Sequence, residues 1–169
     1  MIVADATPLI HLARANRLQL LPRLYDRVAV PPSVWQEVSG TSEKRAEAHV
    51  LEEALEEWLE IRDLPRKAVR VSASLRNATP LGRGEGDAIA LAEAMGVGIV
   101  MDDAIAVGLA RMRGFQTRWT TSVVLEAHAR DVLSAREARA TIRDLVRAGL
   151  WLRQDVLLSL LEILGGRSD

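Results

Sequence analysis

Acidic residues stand at the points of this chain where a fold would gather them. Asp5 closes the apolar run Met1-Ile2-Val3-Ala4. Glu37 falls a few residues after Pro31-Pro32, Glu85 and Asp87 alternate with Gly84 and Gly86, and Asp102-Asp103 ends the run Val97-Gly98-Ile99-Val100-Met101. Carboxylates brought together repel unless a cation offsets them, and hard oxygen donors without Cys or His beside them favour Mg²⁺ or Mn²⁺ over zinc. The absence of cysteine excludes disulfides, thiolate zinc sites and thiol nucleophiles. His11, His49 and His128 lack any paired metal-ligand spacing. A divalent-metal site built from acids is therefore the predicted chemistry.

Each acid also has a plainer explanation. Asp at a strand end is a common helix cap. Glu85 or Asp87 at the start of a helix interacts favourably with the helix dipole, and Glu37 early in a helix is commonly solvated. In regular helix, positions two apart differ by about 200° in direction, so Glu85 and Asp87 do not easily share one pocket. Asp87 is the expected pocket residue, with Glu85 in a supporting place.

The elements that must position these acids alternate between strand and helix. Met1 to Asp5 reads as a strand, after which Thr7-Pro8 can cap and open a helix. Val28-Ala29-Val30 reads as a second strand closed by Pro31-Pro32, with Ser33 and Gln36 spaced as a capping box. Residues 42–57 read as a helix and Trp58 to Ile61 as a half-buried strand. Residues 64–80, with Arg66, Lys67, Arg70 and Arg76, could form a helix leading to a glycine-containing mobile loop. Asp87 to Met95 is apolar on nearly every side, as in a helix buried against a sheet. Val97 to Met101 has the continuous apolar character of a parallel strand covered on both faces. A helix over 104–113, a short strand near 116–119 and three closing helical segments complete a βα alternation. Ligands of such sheets bind outside the carboxyl ends of the strands, where Asp5 and Asp102-Asp103 fall.

The chain of 169 residues suits one domain. Its 49% hydrophobic and 27% charged content is that of an ordinary folded protein. A net charge of -1 gives the molecule no long-range attraction for a polyanion, so binding of nucleic acid must come from local basic patches or bound metal. The absent cysteines, and a start without a basic segment and apolar stretch, point to the cytoplasm, with no apolar run long enough for a membrane.

Other chemistries fit less well. A haloacid-dehalogenase-type phosphatase needs a second Asp two residues after the first, where this chain has Thr7. A phosphate-accepting receiver domain wants a Lys after a late strand, and Trp119-Thr120-Thr121-Ser122 offers none. Gly82-x-Gly84-x-Gly86 does not follow the first strand and carries Glu85 and Asp87, which would repel a pyrophosphate.

Four blocks in order, Asp5-Ala6-Thr7-Pro8-Leu9-Ile10, Pro32-x-x-Trp35-x-Glu37-Val38, Gly84-Glu85-Gly86-Asp87-Ala88-Ile89-Ala90-Leu91-Ala92 and Ile99-Val100-Met101-Asp102-Asp103, resemble the PIN domains. The likeness is in particular to VapC-like toxins and a related group of predicted PIN proteins. It implies an α/β fold, a three-layer α/β/α sandwich with a mostly parallel central sheet. It further implies an RNase in which Asp5, Glu37, Asp87 and Asp102 or Asp103 hold one or two Mg²⁺ or Mn²⁺ ions, leaving 5'-phosphate and 3'-hydroxyl ends. Thr7 would be the small hydroxyl residue of the site. Carboxylate-held metal suits that reaction, because it lowers the pKa of water and polarises a phosphate. Where many relatives carry an Arg or an aromatic residue after the acidic pair, this chain has Ala104-Ile105-Ala106-Val107, which leaves Asp102 and Asp103 both open as the ligand. A PIN-like module that binds RNA or protein without cutting is the alternative.

Toward the end of the chain, Ala138, Ile142, Leu145 and Val146 mark one helical face, and Arg136, Arg139, Arg143 and Arg147 another. The arginines are more simply a solvated face than a phosphate-binding stripe. Leu157-Leu158-x-Leu160-Leu161-x-Ile163-Leu164 is too apolar for a solvated tail. Helices over about 134–165 are therefore expected to pack on the core or to form an interface, by resemblance with a second copy of the chain or a small antitoxin.

Overall fold

The three-residue runs Ile2–Ala4 (β1), Val28–Val30 (β2) and Leu59–Ile61 (β3) pair side by side, and Ile99–Val100 (β4) and Thr117–Arg118 (β5) continue the sheet beyond β1. The order is β3-β2-β1-β4-β5 and every pairing is parallel, with Val3 opposite both Ala29 and Ile99. The computed structural model describes residues 1–42 and 47–165.

Parallel strands need crossovers, and helices supply them: α1 (Ala6–Arg14), α2 (Leu20–Tyr25), α3 (Pro32–Ser42), α4 (Glu47–Glu57), α5 (Arg66–Ala78), α6 (Arg83–Met95), α7 (Ala104–Met112) and α8 (Thr120–Ala129). Two closing helices follow, α9 (Ala135–Arg147) and α10 (Gln154–Ile163). Helices flank the sheet on both sides, giving the α/β/α sandwich. Val3, Ala4, Val28, Ala29, Val30, Ile99 and Val100 are wholly buried, which is why these strands read as unbroken apolar runs. No helix among the described residues is long and apolar enough to cross a membrane.

Several local expectations are corrected. Asp5, not Thr7, is the N-cap residue of α1, so Thr7 lies inside its first turn. The helix after Pro31 already begins at Pro32. Ser33 therefore caps nothing, and its hydroxyl donates to Asp87 instead. Residues 64–80 contain α5, whose buried face is only Ala68, Ser72 and Leu75. α6 starts at Arg83 rather than Asp87, absorbing Gly84 and Gly86 into its first turns. The expected helix over 42–57 is α4 from Glu47, with 43–46 outside the described residues. The short α2 was not foreseen.

Near the end of the chain, Ala138, Thr141, Ile142 and Leu145 form the buried face of α9, while Val146 lies outside it, 37% exposed. Thr141 joins the buried face because its hydroxyl accepts from Arg17 Nε at 2.9 Å. Arg139 donates to the Leu164 carbonyl at 2.8 Å, tying α9 to the end of α10. Leu160 and Leu164 are buried, whereas Val156, Leu158 and Ile163 remain exposed.

Candidate active site

From β1 the chain departs toward β2 on one side of the sheet, and β4 lies on the other, which makes the β1/β4 boundary the switch point where α/β sheets open a crevice. Asp5 leaves β1 there, its backbone N–H donating to the Val100 carbonyl at 2.9 Å. Asp102 leaves β4 immediately beside it.

Asp5 is 4% exposed. Burial, opposed by a hydrogen bond from the Ala6 backbone and reinforced by the charges of Glu37, Glu85 and Asp102, pushes its carboxyl up to about 7. Those three side chains belong to α3, to α6 and to the exit of β4, so four elements bring acids within electrostatic reach of Asp5. Glu37 is itself held above the ordinary range, first by burial and then by the Glu85 charge.

Gly84 faces this cluster. A Cβ there would lie 3.1 Å from Glu37 Oε2, 3.5 Å from Val34 Cγ2 and 3.8 Å from Asp5 Oδ1. The missing side chain thus leaves space between two carboxylates that repel one another.

The acidic pair after β4 is divided in role. Asp102 accepts from the Thr120 backbone N–H at 2.8 Å and from its hydroxyl at 2.6 Å. These two donors, at the first residue of α8, fix the Asp102 carboxylate. Asp103 turns away to cap α7, accepting from the Ala106 N–H at 2.8 Å. His11 Nδ1 stands 3.9 Å from Asp102 Oδ2. It is buried without a hydrogen-bond partner among the described residues.

Glu85 and Asp87 are divided as well. Glu85 is the third residue of α6, where it accepts from the Gly82 N–H at 2.7 Å and presents its charge to Asp5 and Glu37. Asp87, about 200° further round the helix, accepts hydroxyl donors from Ser33 at 2.6 Å and Ser72 at 2.5 Å. Arg83 Nε lies 3.6 Å from it. Asp87 lines a separate cleft of about 550 Å³ with Arg76 and Arg83. Of the acids expected at the pocket, Asp5, Glu37 and Asp102 come together with Glu85, while Asp87 and Asp103 engage hydroxyls and a helix end.

Sequence reasoning missed Thr120, His11 and Gly84. Thr120 carried the most signal, a hydroxyl residue opening a helix after a short strand.

The donors are all carboxylates, a set suited to a hard divalent cation such as Mg²⁺ or Mn²⁺. The mutual repulsion at Asp5 and the open space at Gly84 fit such an ion. Among the described residues, however, no three His, Asp or Glu side chains already stand as a coordinating group. The acids surround the place without closing on it.

No curated protein matches the chain. The sequence profile of a PIN domain family, DUF3368, matches residues 1–166. With a wholly parallel sheet and acids collected at its switch point, that match extends over nearly the full 169 residues. The chain belongs to the PIN domain family, whose members are generally nucleases and typically depend on divalent metal.

Proposed function

We propose that this protein is an Mg²⁺- or Mn²⁺-dependent endoribonuclease that hydrolyses RNA phosphodiester bonds, acting as the VapC-like toxin of a type II toxin–antitoxin pair. The observation that carries the proposal is Asp5, a buried carboxyl pushed up to about 7 and facing Glu37, Glu85 and Asp102 at the end of the sheet. A carboxylate cluster of this kind costs folding free energy and is explained by a cation that offsets it.

In the proposed site, Asp5, Glu37, Glu85 and Asp102 would hold the metal. Asp87 maintains the packing of α3 and α5 on α6, and Asp103 maintains the start of α7. When bound, the ion lowers the pKa of water and offsets the charge of the phosphate. The chain's own residues supply orientation. Thr120 fixes both oxygens of Asp102, and the capping bond from Gly82 holds Glu85 at the first turn of α6. Gly84 keeps the space between Asp5 and Glu37 clear. Thr7, half-buried in the first turn of α1, lies two residues after Asp5 as a neighbouring hydroxyl.

The partners proposed with this activity are RNA, a second copy of the chain and a small antitoxin. Exposed Leu158 and Ile163 on α10 support a covering protein surface.

The test is incubation of the protein and its Asp5→Asn variant with labelled single-stranded and structured RNAs in Mg²⁺, Mn²⁺ or EDTA. Cleavage that requires metal and disappears in the variant is expected. Failure of folded, metal-supplied protein to cut a broad RNA panel would replace the proposal with a PIN module that binds without cutting.

A further inference from the structure

A cleft of about 460 Å³ opens against Asp102, between the starts of α7 and α8 and the segment joining α9 to α10. Trp119, Trp151, Leu150 and Leu152 contribute to its walls, with Thr121. Trp151 is 80% exposed, although most large apolar side chains of this protein are buried. Arg153 also lines the cleft, but its guanidinium is engaged by Asp155 at 2.6 Å.

We propose that this cleft receives an unpaired nucleobase of the RNA strand whose phosphate lies at the acidic cluster, with Trp151 and Trp119 as its stacking surfaces. The inference rests on the nuclease function proposed above and adds to that site a base-stacking subsite. Three observations carry it. The volume falls in the range of small-ligand pockets, roughly 300–1,000 Å³. Two indole side chains line it together with Leu150, Leu152 and Val156, and stacking of a base on an aromatic ring tolerates any base identity. Asp102 lines the cleft and also acts on the buried Asp5 carboxyl across the β1/β4 boundary, so the cleft adjoins the acidic cluster. A base inside a duplex keeps its faces stacked on its neighbours and cannot enter, which makes the cleft selective for unpaired segments.

The experiment measures binding of a short, unstructured, end-labelled RNA to the full chain by fluorescence anisotropy, in Ca²⁺ to leave the strand intact. The same strand is tested with an abasic position moved along it. Trp151→Ala is expected to weaken binding about tenfold, in line with the loss of one base–aromatic stack, and Trp151→Phe to restore most of it. One abasic position should weaken binding to the unaltered protein by a similar factor and have no further effect on Trp151→Ala. Equal affinities of the unaltered protein and Trp151→Ala for every strand would overturn the proposal, as would failure to bind any strand. A change confined to self-association of the chain, with RNA affinity unaltered, would also overturn it by making Trp151 part of a protein interface. Cleavage measured in parallel with the same proteins and strands in Mg²⁺ or Mn²⁺ separates the two claims. Trp151-dependent binding without cleavage leaves the base site and removes the nuclease, and cleavage with Trp151-independent binding does the reverse.

Discussion

Ionising Asp5 opposes folding, and the sign of the effect is testable. In the unfolded chain its carboxyl ionises near 3.8, and in the fold it keeps its proton up to about 7. The folded state therefore binds the extra proton between those values, so the contribution of Asp5 is intact below pH 4 and is lost as pH rises through 7. An Asn at this position cannot ionise. Metal-free Asp5→Asn should be more stable than the unaltered protein at pH 8 by roughly 2–4 kcal/mol, with the gap closing near pH 4. Parallel stability profiles from thermal melts across that range would refute the strain. Glu85 and Asp87 give a paired test, because the proposed site gives them opposite roles. Glu85→Gln should retain the fold and lose cleavage by at least about 100-fold, since even outer partners of a metal cost 10–100-fold. Asp87→Ala leaves the hydroxyls of Ser33 and Ser72 without their acceptor and should cost about 1–3 kcal/mol in urea unfolding.

α6 owes its position to side chains it lacks. At Gly86 a Cβ would come within 2.9 Å of Arg76 Cγ and 3.2 Å of Ser72 Oγ, so α5 approaches because nothing intervenes. Gly86→Ala should destabilise the protein by about 1–3 kcal/mol despite the better helix propensity of alanine. At Gly84 the obstructed atom is instead the far end of Glu37, which can move. Gly84→Ala should leave the melting temperature unchanged or raised while reducing metal-dependent cleavage about tenfold or more. Loss of stability without loss of activity would show that the space at Gly84 serves packing alone. The same two glycines explain why the start of α6 was hidden in the sequence. They read as loop because glycine weakens isolated helices, and only the neighbours that crowd them reveal why a helix carries them. Moving that start from Asp87 to Arg83 places Glu85 in the first turn. α5 was obscured for a related reason, since a buried face of Ala68, Ser72 and Leu75 gives little hydrophobic periodicity.

Across the whole molecule, the sheet was legible because buried parallel strands must be apolar and the acids stand directly after them, Asp5 after Ala4 and Asp102 after Met101. Contacts between elements distant in the chain were not. The link from Thr120 to Asp102 and those from Ser33 and Ser72 to Asp87 leave no periodic trace in sequence, and they fix where those two carboxylates sit. With a net charge of -1, the protein has no global field to draw in RNA, which leaves recognition to local groups. The central claim, that Asp5, Glu37, Glu85 and Asp102 together hold a divalent ion, is tested most directly by titrating Mn²⁺ into the protein and following the free ion by electron paramagnetic resonance. Saturable binding that is lost in Asp5→Asn and Glu85→Gln and retained in Asp87→Asn is expected. Binding that survives Glu85→Gln but disappears in Asp87→Asn, or no binding at all, would contradict it.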